Sequence, residues 1–159
     1  DSPACASDAG EKESVLVLRG VEVAVTRGEL VMVVGRVGAG KSSLLSALMG
    51  EMEKKGGSLF RAGSMAYVAQ SPWIRNATLR DNVTFSEHFD PEKFKDVLSV
   101  CCLDADVAML PDGADTEIGE RGITLSGGQK ARVQLARAVY RGADTYLLDD
   151  PLSAVDTHV

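Results

Sequence analysis

A chain of 159 residues has the length of one domain, and 45% apolar residues are enough for a real core. With 17 basic against 23 acidic residues the net charge is −6, so no general positive field recruits an anion, and a nucleic-acid partner is not expected. No apolar run approaches the roughly 20 residues needed to cross a bilayer, and the first residues lack a signal-peptide core. Three cysteines, Cys5, Cys101 and Cys102, have no Cys-x-x-Cys spacing and fit a reducing compartment without a cysteine metal site.

Residues 1–14 are small, polar and acidic, and read as a mobile lead-in. From Val15, the run Val15-Leu16-Val17-Leu18 and the alternation of Val21, Val23 and Val25 with polar or small neighbours predict strands with one buried face. Arg27-Gly28-Glu29 is a turn. Leu30 to Val34 predicts a strand buried on both faces of a parallel sheet, and Lys41 to Met49 before Gly50 predicts a helix. Between them, Gly35-Arg36-Val37-Gly38-Ala39-Gly40-Lys41-Ser42 fits the phosphate-loop pattern G-x-x-x-x-G-K-[ST].

A nucleoside triphosphate is densely anionic, so a loop that grips it must offer many donors with no side chains in the way. Gly35, Gly38 and Gly40 permit that path, and backbone N–H groups from Gly38 through Ala39 and Gly40 to Ser43 would ring a phosphate. The positive end of the following helix adds roughly half a unit charge at the same place. Lys41 is expected to reach the β- and γ-phosphates, and the Ser42 hydroxyl to hold Mg2+.

Farther on, Gly56-Gly57-Ser58 is a turn, and Met65 to Val68 a short strand that Pro72 stops, leaving Gln70 at its carboxyl end. Carboxyl ends of parallel strands face the ligand crevice of α/β sheets, which puts Gln70 within reach of the metal or the γ-phosphate side. Trp73 reads as a packing anchor. Asp90 and Pro91 start a helix with Phe94, Val97, Leu98 and Cys101 on its apolar stripe, which Leu103 to Leu110 extends until Pro111. Thr116 to Gly122 reads as a charged loop.

Ser126-Gly127-Gly128-Gln129 has the spacing of a capping box that opens a helix through Tyr140. Its bare start is either a second anion site or simply a well-capped helix end. Ala131, Leu135, Ala138 and Val139 would form its buried face, with Lys130, Arg132, Arg137 and Arg141 solvated. Tyr146 to Asp150 predicts a buried strand ending in two carboxylates, of which Asp149 is the expected partner of Ser42 in holding Mg2+.

Taken in order, Gly35 to Ser42, Gln70, Leu125-Ser126-Gly127-Gly128-Gln129, Tyr146 to Asp150 and Ser153-Ala154-Val155-Asp156 resemble the nucleotide-binding domain of ATP-binding-cassette proteins. Glu51-Met52, Tyr67-Val68 through Trp73-Ile74, Arg80 to Val83 and Asp149 to Asp156 resemble the first such domain of subfamily C, the multidrug-resistance-associated exporters. The resemblance implies an α/β fold: a P-loop core with a mainly parallel sheet, N-terminal antiparallel β strands, and a small helical subdomain at about 86–140 that carries the signature. It also implies a partial domain over 15–159, ending before the switch histidine, since His158 lies too close to Asp156 and His88 in another segment.

By the same resemblance, two domains close head to tail around two ATP molecules. Ser126, Gly127, Gly128 and Gln129 would touch the γ-phosphate of ATP bound to the partner domain. Gln70 would touch the metal and couple the site to transmembrane domains, Thr116 to Gly122 would lie near their cytoplasmic helices, and Asp156 would cross the dimer. The whole would sit at the cytoplasmic face of a membrane as an ATPase. Asp150 occupies the place of the family's catalytic Glu, so the Lys41 site is expected to bind MgATP but hydrolyse it poorly. An upstream aromatic that stacks adenine is absent, since no aromatic residue precedes Phe60. The missing histidine strand would leave the phosphate-loop strand and the Tyr146 strand without a neighbour between them. Alternatives are a regulatory ATP-sensing module, or a soluble ATPase of the superfamily without a transport role.

Overall fold

In a computed structural model the chain is described at residues 16–120 and 122–151. The readings placed on residues 1–15, on Arg121, and on Ser153, Ala154, Val155, Asp156 and His158 lie outside the described residues. The chain divides between Lys55 and Gly56 into two units.

In the first unit the only regular element among the described residues is helix α1, Lys41–Met49. Gly50 ends it in the left-handed conformation, donating to Ala47 and Ser46 carbonyls, as an α-helix stop by glycine requires. The expected turn is present: Thr26 N–H donates to the Glu29 carboxylate at 2.7 Å, Glu29 N–H returns to Thr26 O, and the bonds from Thr26 hold the Glu29 carboxyl below its usual range. The strands expected on either side of it are not. Leu16 to Val25 and Leu30 to Val34 carry no strand pairing, and Leu30 and Val34 are 86% and 88% exposed. A strand is held by its neighbour's backbone, and none of the described residues supplies a ladder to these segments, so apolar composition alone does not order them.

The second unit has a two-stranded parallel sheet and a helical cluster. Strand β1, Met65–Val68, pairs in parallel with β4, Thr145–Leu148, in the register Tyr67 to Leu147 and Val68 to Leu148. The Asp144 carboxylate accepts from both the N–H and the hydroxyl of Ser64 at 2.9 Å, which fixes the start of that register. With β1 as its sole partner among the described residues, β4 is not the buried strand expected: of its residues only Leu147 is buried.

Between these strands come β2, Ala77–Thr78; α2, Leu79–Thr84; α3, Pro91–Val100; α4, Asp104–Ala108; β3, Glu117–Ile118; and α5, Gly127–Arg141. Asp90 caps α3 by accepting from Glu92 and Lys93 N–H, with Pro91 in the first turn, and Phe94, Val97, Leu98 and Cys101 are all buried. Leu103 to Leu110 does not extend α3. Cys102 turns left-handed at φ 53°, and a separate short α4 follows. The expected loop Thr116 to Gly122 is partly a strand: β3 pairs antiparallel with β2, and Ile118 is a core residue.

The core is a helical one. Leu79, Val83, Phe94, Val97, Leu98, Leu103, Ile118, Val133, Ala136 and Tyr140 belong to a single buried cluster. Tyr140 and Asn82 inside it find partners, whereas Arg80 Nε and Arg137 Nη1 beside it are buried with none among the described residues. The Tyr140 hydroxyl accepts from Asp90 N–H at 2.7 Å and donates to His88 O at 2.8 Å. Asn82, wholly buried, accepts from Arg75 N–H and donates to the carbonyls of Arg75 and Thr78.

Helix α5 corrects the sequence reading of its faces. Val133, Gln134, Ala136, Ala138 and Tyr140 are the buried positions, while Ala131, Leu135 and Val139 are half-buried. Arg132 and Arg137 are not solvated. Arg132 pairs with Asp106, and Arg137 lies 3.9 Å over the Trp73 ring while donating to Asn82 O at 2.7 Å. Burial, and after it the nearby Arg75, brings the Arg137 guanidinium down to about 10. The polar period of the helix predicts exposure, but a guanidinium can stack on an aromatic face and reach several carbonyls at once.

Candidate functional site: a phosphate loop and two strand ends

The loop before α1 has the path that an anion cradle requires. Gly38 and Gly40 take φ of 81° and 90°, in the left-handed region that favours glycine, and a Cβ at Gly38 would meet nothing within 4 Å. No side chain caps α1 and no acidic residue occupies its first turn, so its initial N–H groups keep their donor capacity and their positive potential. Lys41 Nζ donates to Gly35 O at 2.9 Å and to Arg36 O at 3.0 Å, which folds its ammonium back across the loop. Val37 is fully exposed at the loop's outer edge, and Ala39 N–H donates to Arg36 O. Ser42 and Ser43 follow in the first turn. An open, uncapped, acid-free helix start with one ammonium beside it fits a polyphosphate.

In the second unit, the parallel pairing brings two strand ends together. Gln70 follows β1 and Asp149-Asp150 follow β4, so the register places all three at one edge. Asp149 N–H donates to Val68 O at 2.9 Å, extending the ladder by one step, and Tyr67 Oη donates to the Asp149 carboxylate at 3.4 Å. Gln70 Nε2 donates to the Asp150 carboxylate at 3.4 Å. Asp150 adopts φ 49°, a conformation that Asp tolerates better than most residues. A cavity large enough for about one water lies between Gln70, Pro72, Gln134 and Asp150.

Ser126 to Gln129 form the capping box expected. The Ser126 Oγ accepts from Gln129 N–H at 3.2 Å, and the Gln129 Oε1 accepts from Ser126 N–H at 2.8 Å. The hydroxyl oxygen is used as an acceptor, and its own hydrogen remains available to a further acceptor. Gly127 has nothing within 4 Å of a built Cβ, so the helix start is bare. About two helical turns further along α5, Gln134 reaches the neighbour of Gln70: its Nε2 donates to Ala69 O at 3.2 Å. Gln134, Asp106 and Arg132 were not legible as site residues, because nothing in their spacing marks a long-range polar contact.

A family model described as "ABC transporter" matches residues 18–153, which include every one of these segments. The chain belongs to the ABC transporter family. It is 59% identical over 151 residues to "Multidrug resistance protein mrp-7" of Caenorhabditis elegans, covering 95% of this chain and 10% of that protein. To "ATP-binding cassette sub-family C member 3" of Homo sapiens it is 58% identical over 142 residues, covering 89% of the chain and 9% of the relative. To "ATP-binding cassette transporter abc2" of Schizosaccharomyces pombe it is 54% identical over 153 residues, 96% of the chain and 10% of the relative. The likeness to subfamily C expected from the sequence is therefore present, and this ABC chain spans about a tenth of the length of the curated relatives it matches. Members of the family bind ATP, generally with Mg2+, and are generally ATPases. Among the described residues of this ABC domain no helix is long and apolar enough to cross a membrane.

Proposed function

We propose that this ABC domain belongs to a membrane exporter, binds MgATP through the loop from Gly35 to Ser43, and lends its Ser126 to Gln129 box to a second ATP held by a partner domain. The observation that carries the reading is the bare, acid-free start of α1 behind left-handed Gly38 and Gly40, with the Lys41 ammonium over the loop. Backbone donors of fixed direction bind a polyphosphate without reorganisation, and the ammonium neutralises charge that an acidic chain cannot offset at long range. Ser42 and Asp149 are the residues that would hold Mg2+, which supplies charge neutralisation to the phosphates when bound.

The chain's own groups divide the remaining tasks. Gln70 and Asp150 hold each other in hydrogen-bond contact at the strand ends, the place where an attacking water has to be oriented. Asp150 is one methylene shorter than the Glu that the family resemblance calls for, and its carboxylate is the group that would accept the water's proton. The site built on Lys41 is therefore a slow one, and the competent site is the partner's, to which the Ser126 hydroxyl would donate. The cytoplasmic face of a membrane is the place such a domain works, beside transmembrane domains of the same protein. A regulatory ATP-sensing role is the second reading, favoured by the same Asp150.

The test uses the complete protein. A Lys41→Ala variant is expected to lose retention of labelled ATP on this domain while the partner domain keeps its label. Retention equal to the parent's would place the grip elsewhere and end the reading. Export coupled to ATP turnover, against ATP binding without it, separates the exporter from the sensor.

A further inference from the structure

The least expected polar contact in the molecule lies behind the capping box. Asp106, in the short helix α4, projects onto α5: its Oδ1 accepts from Gln129 Nε2 at 3.0 Å, and its Oδ2 accepts from Arg132 Nε and Nη2 at 3.2 and 2.8 Å. Both charged side chains are nearly out of solvent, Arg132 at 14% and Asp106 at 11% exposure. The two-pronged guanidinium fixes the carboxylate plane, and the carboxylate in turn decides which way the Gln129 amide faces.

A primary amide has a donor end and an acceptor end, and here they are read separately. With its N–H2 on Asp106, the Gln129 oxygen faces Ser126 N–H, as the 2.8 Å contact records. The flipped amide would set an oxygen against a carboxylate and an N–H2 against an N–H, so both contacts would become repulsive. Once Gln129 is fixed, its own N–H holds the Ser126 Oγ, which leaves the Ser126 hydroxyl hydrogen free to donate to an outside acceptor. Arg132 also cancels the charge that Asp106 would otherwise place behind an anion site.

We propose that Asp106 is the positioning residue of the Ser126 box, acting through Gln129 to aim the Ser126 hydroxyl at an anionic oxygen, with Arg132 as its counter-charge. The assignment rests on the reading that this box serves a nucleotide on the partner domain. It requires that the donor and acceptor order along Ser126, Gln129, Asp106 and Arg132 matters, rather than the presence of a charge pair as such.

That order can be reversed and restored with near-isosteric variants of the complete protein. Asp106→Asn gives its single oxygen to Arg132 and turns an N–H2 toward the Gln129 amide. Gln129→Glu keeps an oxygen for Ser126 N–H but sets a carboxylate against Asp106. Together they restore every contact: the amide introduced at position 106 donates to the carboxylate introduced at position 129, and the net charge is unchanged. The readout is vanadate-dependent trapping of radiolabelled azido-ATP, measured separately on the two nucleotide-binding domains after proteolytic separation. Each single variant is expected to lower the label on the partner domain about tenfold, the scale of a lost hydrogen bond to a charged group. The double variant should return it to within about threefold of the parent, with the label on the Lys41 domain unchanged throughout.

A double variant no better than the worse single one overturns the assignment. So do equal losses on both domains, which would mark Asp106 as a structural residue only, and so do single variants that trap like the parent while Ser126→Ala does not. If Ser126→Ala also traps like the parent, the box serves no partner nucleotide, and the proposed function falls together with the role of Asp106.

Discussion

Replacing Asp150 with Glu tests the slow-site reading most directly, and the structure sets the size of the gain. The added methylene advances the carboxylate by about 1.5 Å, and a misplacement near 1 Å costs on the order of a hundredfold in rate, or about 2.7 kcal/mol of activation free energy. The gain is not realised in full, because residue 150 sits at φ 49°. A left-handed residue costs an L-amino acid about 1–2 kcal/mol, and Asp escapes part of this by local hydrogen bonding that Glu, with its longer arm, does not make. Subtracting at most that strain leaves no less than about 0.7 kcal/mol, an expected acceleration of at least about threefold. The assay is steady-state ATP hydrolysis by the complete protein, with the partner domain's own loop lysine substituted so that only the Lys41 site turns over. Unchanged turnover, with labelled ATP still retained on this domain, would refute the argument from reach. A gain near a hundredfold would instead show that the backbone at 150 relaxes.

Asn82→Ala removes the acceptor of Arg75 N–H at 2.8 Å and of Arg137 Nη2 at 3.2 Å, and the donor to Arg75 O and Thr78 O, all in a wholly buried place. Leaving such groups unpaired is expected to cost about 3–5 kcal/mol, read as amide exchange in α2 faster by on the order of a thousandfold in the complete protein; exchange within tenfold of the parent would contradict it. Cys101 is buried and its thiol is pushed up to about 11, mainly by burial and then by Cys102, whereas Cys102 is exposed. At pH 8 a maleimide is therefore expected to modify Cys102 and spare Cys101, which peptide mapping checks. Since the folded-state value lies above the ordinary 9.0, the stability owed to the neutral Cys101 thiol is complete below pH 9 and is lost as pH rises through 11, so Cys101→Ala should show a shallower alkaline decline.

What could be read from the sequence was what local chemistry decides. Asp90-Pro91, the Ser126 to Gln129 spacing and Gly50 are end signals that act within one helical turn, and α3, α5 and the stop of α1 stand where these put them. Gln70 and Asp149 were legible as strand-end residues because β1 and β4 carry their own turn signals. The failures are non-local. Leu30 to Val34 has the composition of a central strand, yet a strand exists only with a neighbour to pair. Arg132 and Arg137 follow the polar period of α5, but their burial depends on Asp106 and Trp73, far away in sequence. Nor could spacing foresee that two residues, Ala77-Thr78, would pair with Glu117-Ile118 and turn an expected loop into core.

Helix α5 touches both the helical core and the strand ends, and its contacts on the two sides differ. A helix of 15 residues is about 22 Å long and shortens little under load. Its start carries Ser126, its third turn carries Gln134, and Gln134 holds the Ala69 carbonyl beside Gln70. One uninterrupted helix thus joins the Ser126 box to the carbonyl beside Gln70 without any intervening loop. On the helical-core side Asn82 and Tyr140 have fixed partners whose loss costs free energy, while Arg137 Nη1 is buried with no partner among the described residues. On the strand-end side the Gln134 Oε1 is buried with no partner among the described residues, and Gln134 borders a cavity that admits about one water. A water in that cavity would complete the contacts of Gln134, whose Nε2 is already held by the Ala69 carbonyl.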